Sequence, residues 1–163
     1  MSALLLVRID PTKLYPEFLT RLRALLDDAE QNHAANYWVV SGFRTYLEQD
    51  QLHAQGRKNK APIVTKARGG ESAHQFGIAA DVCRDGIVER KGLQPDWRPE
   101  TYELLRELAP KHNLVWGGTW PNPDRPHLQM PGFVTATELA PLRRKYEANG
   151  IQAVFNYLKE QPS

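Results

Sequence analysis

Residues 72–83 read SAHQFGIAADVC, and this stretch decides how the middle of the chain can fold. Its second half is apolar and β-prone, which predicts a buried central strand over Gly77–Val82. The glycine argues against one continuous helix that would return His74 and Asp81 to the same face. A turn at Gly77 followed by the strand would instead bring the imidazole and the carboxylate to one side of the sheet.

Asp81 lies within the apolar run Ile-Ala-Ala-Asp-Val-Cys, where an unpaired carboxylate would be costly. It therefore needs a cation or several hydrogen-bond donors. His127 closes the sequence Asp-Arg-Pro-His and begins another predicted strand. Two histidines and one carboxylate, with a fourth position open to water, make up the ligand set of a catalytic zinc site. From the spacing alone, a metal site and ordinary structural histidines both remain open.

The rest of the chain alternates helical and β patterns. Apolar residues recur at helical spacing near the N-terminus, and Thr45 and Thr135 each stand three residues before a glutamate, which predicts two capping boxes. The fold class predicted is α+β, a small antiparallel sheet flanked by helices. The predicted helices lie at about 14–29, 46–54, 99–108, 136–148 and 154–158, and the other strands at 37–40, 114–116 and 127–130; Ala3–Val7 is a strand or a buried segment.

Composition sets broad limits on the function. The chain has 163 residues with 41% apolar and 25% charged residues and a net charge of +2, which is ordinary for a globular domain and requires no nucleic-acid partner. We expect a single catalytic domain over 1–163, with the site within about 37–131 and helices of 133–163 packed on it. No stretch is long enough for membrane insertion, no export signal is visible, and a monomer is expected.

Gly56–Glu71 differs from the rest of the chain. It contains five basic residues, three glycines and a proline without an apolar period, which predicts a basic loop. Contact with a substrate and simple solvation both remain open for this loop. The single cysteine, Cys83, lies in the apolar run and is expected to be a buried structural thiol.

Several ordered motifs carry a family resemblance. Ser-x-His-x-x-Gly-x-Ala-x-Asp at 72–81, with Asp-x-x-His at 124–127, resembles the zinc peptidases of family M15, which cleave peptidoglycan stem peptides. That family contains D-alanyl-D-alanine carboxypeptidases, D-Ala-D-Ala dipeptidases and phage L-alanyl-D-glutamate endopeptidases. Residues 41–45, Ser-Gly-Phe-Arg-Thr, are similar to the family's Ser-Gly-Tyr-Arg-Ser, and Trp-Gly-Gly-x-Trp at 116–120 precedes the acid. The similarity spans about 40–130.

The resemblance implies one Zn²⁺ per chain, held by His74, Asp81 and His127. It implies that Asp124 is the general base, a position where the family more often has glutamate and where aspartate resembles the phage endopeptidases. It also implies that Arg44 stabilises the oxyanion, although a structural ion pair is the alternative reading of this arginine.

Two further polar residues are candidates for substrate binding. Ser72 either hydrogen-bonds the substrate or shapes the turn, and Gln49 either contacts the substrate or supports the residues that do. Trp116 and Trp120 are expected to line the cleft or fill the core.

The resemblance leaves three functions open. The expected one is an L-alanyl-D-glutamate endopeptidase acting as a phage or prophage endolysin, made in the host cytoplasm and released to the wall through a holin. A D-alanyl-D-alanine carboxypeptidase or dipeptidase is the alternative, and a non-catalytic protein that binds wall peptide is the remote one. Bacterial peptidoglycan is the expected partner in each case.

Overall fold

The computed structural model describes residues 9–57 and 62–161, which form an α+β fold as predicted. An antiparallel sheet runs in the order β1-β2-β5-β4, and a short β3 pairs with β2. The strands are β1 (Tyr37–Ser41), β2 (Ala79–Asp85), β3 (Pro95–Asp96), β4 (Val115–Trp116) and β5 (His127–Gln129). The α-helices are α1 (Pro16–His33), α2 (Tyr46–Ala54), α3 (Leu105–Lys111) and α4 (Ala136–Lys159).

The two predicted capping boxes begin α2 and α4. Thr45 accepts from the backbone of Glu48 while the Glu48 carboxylate accepts from the Thr45 backbone, and Thr135 and Glu138 repeat the arrangement. Each pair satisfies two backbone N–H groups that a helix start leaves free. The sequence predicted separate helices over 136–148 and 154–158; α4 spans both, and it loses helical geometry between them at Asn149 and Gly150, where φ of Gly150 is +73°.

The central strand begins later than the sequence predicted. β2 spans Ala79–Asp85 rather than Gly77–Val82, because the residues before it form a 3-10 helix over Ala73–Phe76. Gly77 ends that 3-10 helix with φ +68°, a conformation that favours glycine. A side chain there would also place its Cβ 2.3 Å from the Lys13 carbonyl oxygen.

The helix predicted from Pro99 is divided in two. Pro99–Tyr102 is a 3-10 helix, and α3 begins only at Leu105 and continues past Pro110, where the prediction ended it. At the N-terminal side, Pro11–Lys13 forms another 3-10 turn before α1. The predicted segment at Ala3–Val7 and residues 58–61 of the basic loop lie outside the described residues.

One cluster of buried side chains joins the sheet to the helices. Phe18, Leu22 and Leu25 of α1 and Val154 of α4 are fully buried in it, together with most of β2. Cys83 is buried within β2, as expected. Among the described residues, no helix is both long and apolar enough to cross a membrane.

Candidate metal centre and active site

Three neighbouring strands bring the predicted site residues into one row. Asp81 of β2 pairs with Ser41 of β1 on one side and with His127 of β5 on the other. The register of β1 shifts between Val39 and Ser41, and such a bulge redirects side chains at the edge of a site. Cross-strand neighbours share a face of the sheet, so residues 46 positions apart in sequence become direct neighbours.

His74 reaches the same place from the 3-10 helix that precedes β2. Ser72 caps this helix, because its hydroxyl accepts from the backbone N–H of His74. In return, the Gln75 side-chain oxygen accepts from the backbone N–H of Ser72. The left-handed Gly77 then turns the chain into the strand. The predicted turn therefore exists, and it places His74 beside the row formed by the strands.

The three side chains form a compact donor cluster. His74 Nε2 lies 3.2 Å from His127 Nδ1, and both nitrogens lie within 3.3 Å of Asp81 Oδ1. One ligand atom from each residue lies within 4.8 Å of the other two, and this is the group among the described residues that could hold a metal ion. The two imidazoles are 2% and 5% exposed.

In each imidazole, the nitrogen that points away from the cluster shows which nitrogen presents a lone pair to it. His74 Nδ1 lies 2.7 Å from the Gly42 carbonyl oxygen, and His127 Nε2 lies 2.9 Å from Gln129 Oε1. Both partners are acceptors, so these nitrogens carry the protons and the facing nitrogens carry lone pairs. Two lone pairs and a carboxylate oxygen directed at one point repel each other unless a cation lies between them. The donor set therefore fits a zinc ion.

The charges of the cluster depend on one another. Burial alone would raise the pKa of Asp81, but the two imidazoles hold it well below its usual range. Burial opposes a charge on His127, yet the neighbouring Asp81 carboxylate outweighs it and raises the pKa of this imidazole, so Nδ1 attracts either a proton or a metal ion. Asp81 thus stays ionised and attracts a positive charge to this point.

Asp124 lies on a tight turn immediately before β5. Its backbone N–H donates to the Gly117 carbonyl, and its own carbonyl accepts from the His127 N–H. Desolvation at the cavity wall raises the pKa of the Asp124 carboxyl even though the residue as a whole is exposed, and the nearby charge of Asp81 adds to this effect. A carboxylate with a raised pKa is better suited to accept a proton.

Arg44 extends over the cluster from the segment between β1 and α2. Its Nη2 donates to Ser41 Oγ at 2.9 Å and lies 3.4 Å from Asp81 Oδ2, while Nη1 donates to Gln49 Oε1 at 2.8 Å. The ion pair that the sequence analysis named as an alternative is therefore present. Arg44 also lines the cavity, so it is in a position to act on the oxyanion; that role stays a prediction.

The two candidate substrate-binding residues occupy different positions. Ser72 lines the cavity and also caps the 3-10 helix, so both of its predicted roles are open to it. Gln49 is 1% exposed and accepts from Arg44 while donating to the Ala67 carbonyl. The structure does not place Gln49 at the cavity surface, because Arg44 and the 65–67 segment cover its amide group. Its position is that of a support for Arg44.

A cavity of about 420 Å³ opens in front of the cluster. This volume is within the range of small-molecule and peptide sites. Its wall contains all of the donor residues as well as Asp124 and Arg44. Apolar side chains border the polar centre, among them Val64, Trp97, Trp120, Phe133 and Val134.

Comparison with known proteins identifies the family. The model of the D-alanyl-D-alanine carboxypeptidase family VanY matches residues 11–120. The chain belongs to the VanY family. The predicted resemblance to peptidoglycan peptidases is therefore confirmed, and so is the expectation of an enzyme of the hydrolase class.

One curated relative of this VanY-family chain is a cell-wall endopeptidase. The peptidoglycan L-alanyl-D-glutamate endopeptidase CwlK of Bacillus subtilis is 38% identical over 131 residues, covering 74% of this chain and 75% of CwlK.

Solved structures share the VanY-type fold at lower identity. The L-Ala D-Glu endopeptidase ChiX of Serratia marcescens aligns with a TM-score of 0.50 and 20% identity, covering 74% of this chain and 82% of ChiX. A vancomycin-resistance D,D-pentapeptidase VanY, solved in complex with Zn(II), aligns with a TM-score of 0.55 and 19% identity over 89% of this chain and 83% of that chain.

The site of this VanY-family chain also contains residues that the sequence analysis did not single out. Trp97 is 54% exposed and lines the cavity, and Gln129 is buried against His127. Neither residue belongs to a motif. For Gln129, the one available signal is its place two residues after His127 in a predicted strand, which puts both side chains on the same face. The two tryptophans of the sequence motif occupy different places. Trp116 is buried and donates to the Arg125 carbonyl, whereas the centroid of the Trp120 ring lies 5.0 Å from that of His127.

Proposed function

We propose that this chain is a zinc-dependent endopeptidase that hydrolyses the L-alanyl-D-glutamate bond of peptidoglycan stem peptides. The observation that carries the proposal is the 38% identity to CwlK over three quarters of both chains. The donor cluster of His74, Asp81 and His127 supports the metal requirement. The zinc bound to a VanY structure of the same fold is consistent with this choice of ion.

Zinc held by these three residues would supply a Lewis acid that activates the attacking water and the scissile carbonyl. The protein contributes the geometry around that ion. Hydrogen bonds to Gly42 and Gln129 fix the two imidazole rings, and Arg44 holds the second oxygen of Asp81. A peptide entering the cavity would meet a rigid polar centre inside an apolar rim.

Asp124 is the proposed general base. It stands at the cavity wall, its carboxyl pKa is raised, and a hydrogen bond links its backbone directly to the His127 backbone. In the proposed reaction it takes the proton of the attacking water and returns it to the leaving amine. Its turn keeps the carboxylate next to the donor cluster without making it part of that cluster.

Arg44 is proposed to stabilise the negative charge that develops on the carbonyl oxygen. Its guanidinium is held by Ser41, Gln49 and Asp81, so the positive charge is oriented before the substrate arrives. A charge fixed in advance costs no reorganisation during the reaction, which is the condition for effective electrostatic stabilisation.

Digestion of purified peptidoglycan with the zinc-loaded protein tests the proposal. Mass spectrometry of the products identifies the new termini, and we expect fragments with N-terminal D-glutamate. His127→Ala is the matched control, because it should lose both zinc and activity. If peptidoglycan is left intact by a folded, zinc-loaded protein, the proposed function is wrong.

A D-alanyl-D-alanine carboxypeptidase is the second candidate, and the family model supports it directly. The same digest separates the two, since a carboxypeptidase releases free D-alanine and leaves the L-Ala-D-Glu bond intact. A stem peptide with an amidated C-terminus sharpens the comparison. An endopeptidase cuts it, whereas a carboxypeptidase that needs a free terminal carboxylate does not.

For the biological role we propose a phage or prophage endolysin that remains in the host cytoplasm until a holin opens the membrane. The aspartate at position 124, which resembles the phage form of the motif, supports this role. Expression in a bacterial host tests it. Cells should grow normally until a holin is co-expressed and should then lyse, whereas lysis without a holin or survival with one would contradict the proposal.

A further inference from the structure

Gln129, which accepts from the His127 ring in the proposed site, is itself buried and makes hydrogen bonds on two sides. It is 3% exposed and lies two positions after His127 on β5, so both side chains project from the same face of the strand. We propose that Gln129 is a positioning residue that keeps Nδ1 of His127 directed at the metal and connects this ligand to the cavity wall. The inference rests on the proposed zinc site.

The hydrogen bonds of the Gln129 amide define its orientation. Its Nε2 donates to the Phe133 carbonyl at 2.8 Å and lies 3.4 Å from the Met130 carbonyl, both of which can only accept. The amide oxygen therefore faces His127 Nε2, at 2.9 Å. Since that oxygen only accepts, His127 must carry its proton on Nε2 and present a lone pair at Nδ1.

The opposite arrangement of His127 is disfavoured by the same contact. A ring flipped by a half turn, or protonated at Nδ1, would lose the bond to Gln129 or place a lone pair against its oxygen. Trp120 packs on the ring with centroids 5.0 Å apart, which limits its movement without selecting a nitrogen. Asp81 Oδ1, 3.2 Å from Nδ1, could accept a proton there when no metal ion is bound, so Gln129 is the contact that favours the metal-binding form, with the proton on Nε2.

Gln129 also links the metal ligand to the segment that leads into α4. The carbonyl it holds belongs to Phe133, and Phe133 and Val134 line the cavity beside His127. Immediately afterwards, Val134 and Thr135 donate to Glu138 at the start of α4. One amide group thus fixes a metal ligand on one side and the adjacent wall of the cavity on the other.

The test is the zinc affinity of the full chain, measured by competition with a chromophoric chelator. Gln129→Met keeps the length of the side chain but removes the acceptor, and we expect zinc to bind about 10–100-fold more weakly. Gln129→Glu keeps an oxygen in place to accept from His127 and should bind zinc clearly more tightly than Gln129→Met does. Gln129→Leu replaces the methionine variant if that variant does not fold.

Tyr37→Phe is the control for general destabilisation. It removes a buried hydrogen bond from Tyr37 to the Thr101 carbonyl, at the opposite edge of the sheet, and should leave zinc affinity unchanged. Unchanged affinity in Gln129→Met, equal losses in the methionine and glutamate variants, or an equal loss in Tyr37→Phe would each overturn the inference. A wild-type chain that binds no zinc would instead overturn the proposed function.

Discussion

Asp124 lies next to the three residues of the donor cluster, and the proposed mechanism gives it a different task from theirs. The His127 backbone donates to the Asp124 carbonyl, but the Asp124 carboxylate is not part of the donor cluster. We therefore expect Asp124→Asn to keep its zinc and to lower kcat by about 10²–10⁴-fold, the usual contribution of a general base. Metal analysis together with steady-state kinetics checks this. Near-normal kcat in the zinc-loaded variant would contradict the assignment.

Arg44 combines an ion pair with a position on the cavity wall. Arg44→Lys keeps the charge but cannot reproduce the bonds to Ser41, Gln49 and Asp81 together. If the guanidinium acts on the oxyanion, kcat should fall by about 10²–10³-fold while zinc content stays the same. If the ion pair is only structural, melting temperature should fall and kcat should stay close to that of the wild type.

Trp97 presents a half-exposed ring to the cavity. Trp97→Ala should raise KM for a stem peptide about threefold to tenfold with little change in kcat, since it removes a contact made equally in the ground and transition states. Trp97→Phe should retain most of the affinity. A fall in kcat at constant KM would show that the ring acts on the reacting groups instead.

At the residue scale, the sequence indicated the candidate site residues but not the residues that hold them in place. His74, Asp81, His127, Asp124 and Arg44 were recognisable because their types and spacing form motifs. Gln129 and Trp97 were not, since a glutamine in a strand and a tryptophan in a loop have no motif of their own. Which nitrogen of each histidine faces the donor cluster depends on carbonyl and amide oxygens that only the folded chain brings near.

At the scale of secondary-structure elements, the turn between β4 and β5 leaves no room for a side chain at Gly117. A Cβ on Gly117 would lie 2.5 Å from the Asp124 carbonyl oxygen and 3.1 Å from the His127 Cβ. Gly117→Ala should therefore displace both residues and lower kcat/KM by about 100-fold, as expected for a shift of roughly 1 Å.

Gly92→Ala is the matched control for this prediction. Its φ of +80° adds backbone strain, but among the described residues no atom beyond its chain neighbours lies within 4 Å of the new Cβ. It should lose some thermal stability and keep its activity. Equal kinetic losses in the Gly92 and Gly117 variants would show that a general effect of adding a methyl group, rather than displacement of the Asp124 turn, lowers the activity.

The sequence predicted elements best where the signal is local. Both capping boxes and the break at Gly150 depend on residues within one helical turn, and all three are present in the structure. β2 was placed too early because an apolar pattern does not distinguish a 3-10 turn from the first residues of a strand. The pairing of Asp81 with Ser41 and His127 could not be predicted at all, since register depends on contacts between distant segments.

At the scale of the whole molecule, hydrogen bonds and an ion pair of the buried Asp28 carboxylate connect α1 to the end of α3. Asp28 of α1 accepts from Lys111, Asn32 and His112, each at 2.7 Å. These bonds, that of Lys111 foremost, hold the pKa of Asp28 well below its usual range. The carboxylate therefore stabilises the fold at neutral pH, and this contribution is lost as the pH falls below the unfolded-state pKa of about 4.

The acid dependence of unfolding tests this contact. Asp28→Asn should be less stable than the wild type at pH 7, and the difference should shrink as the pH falls from about 5 towards 2. Glu30→Gln, at an exposed position on the same helix, should follow the wild-type curve more closely. A stability difference that does not depend on pH would contradict the role of the charge.

The α+β class followed from the alternation of patterns along the chain, and the family followed from the motifs. Both the proposed function and the role of Gln129 require that His74 Nε2, Asp81 Oδ1 and His127 Nδ1 hold one zinc ion. Anomalous diffraction at the zinc edge from crystals of the zinc-loaded protein tests it most directly. We predict one strong peak, at about 2.0–2.2 Å from each of the three atoms. A peak elsewhere, no peak, or coordination through His127 Nε2 would contradict the account.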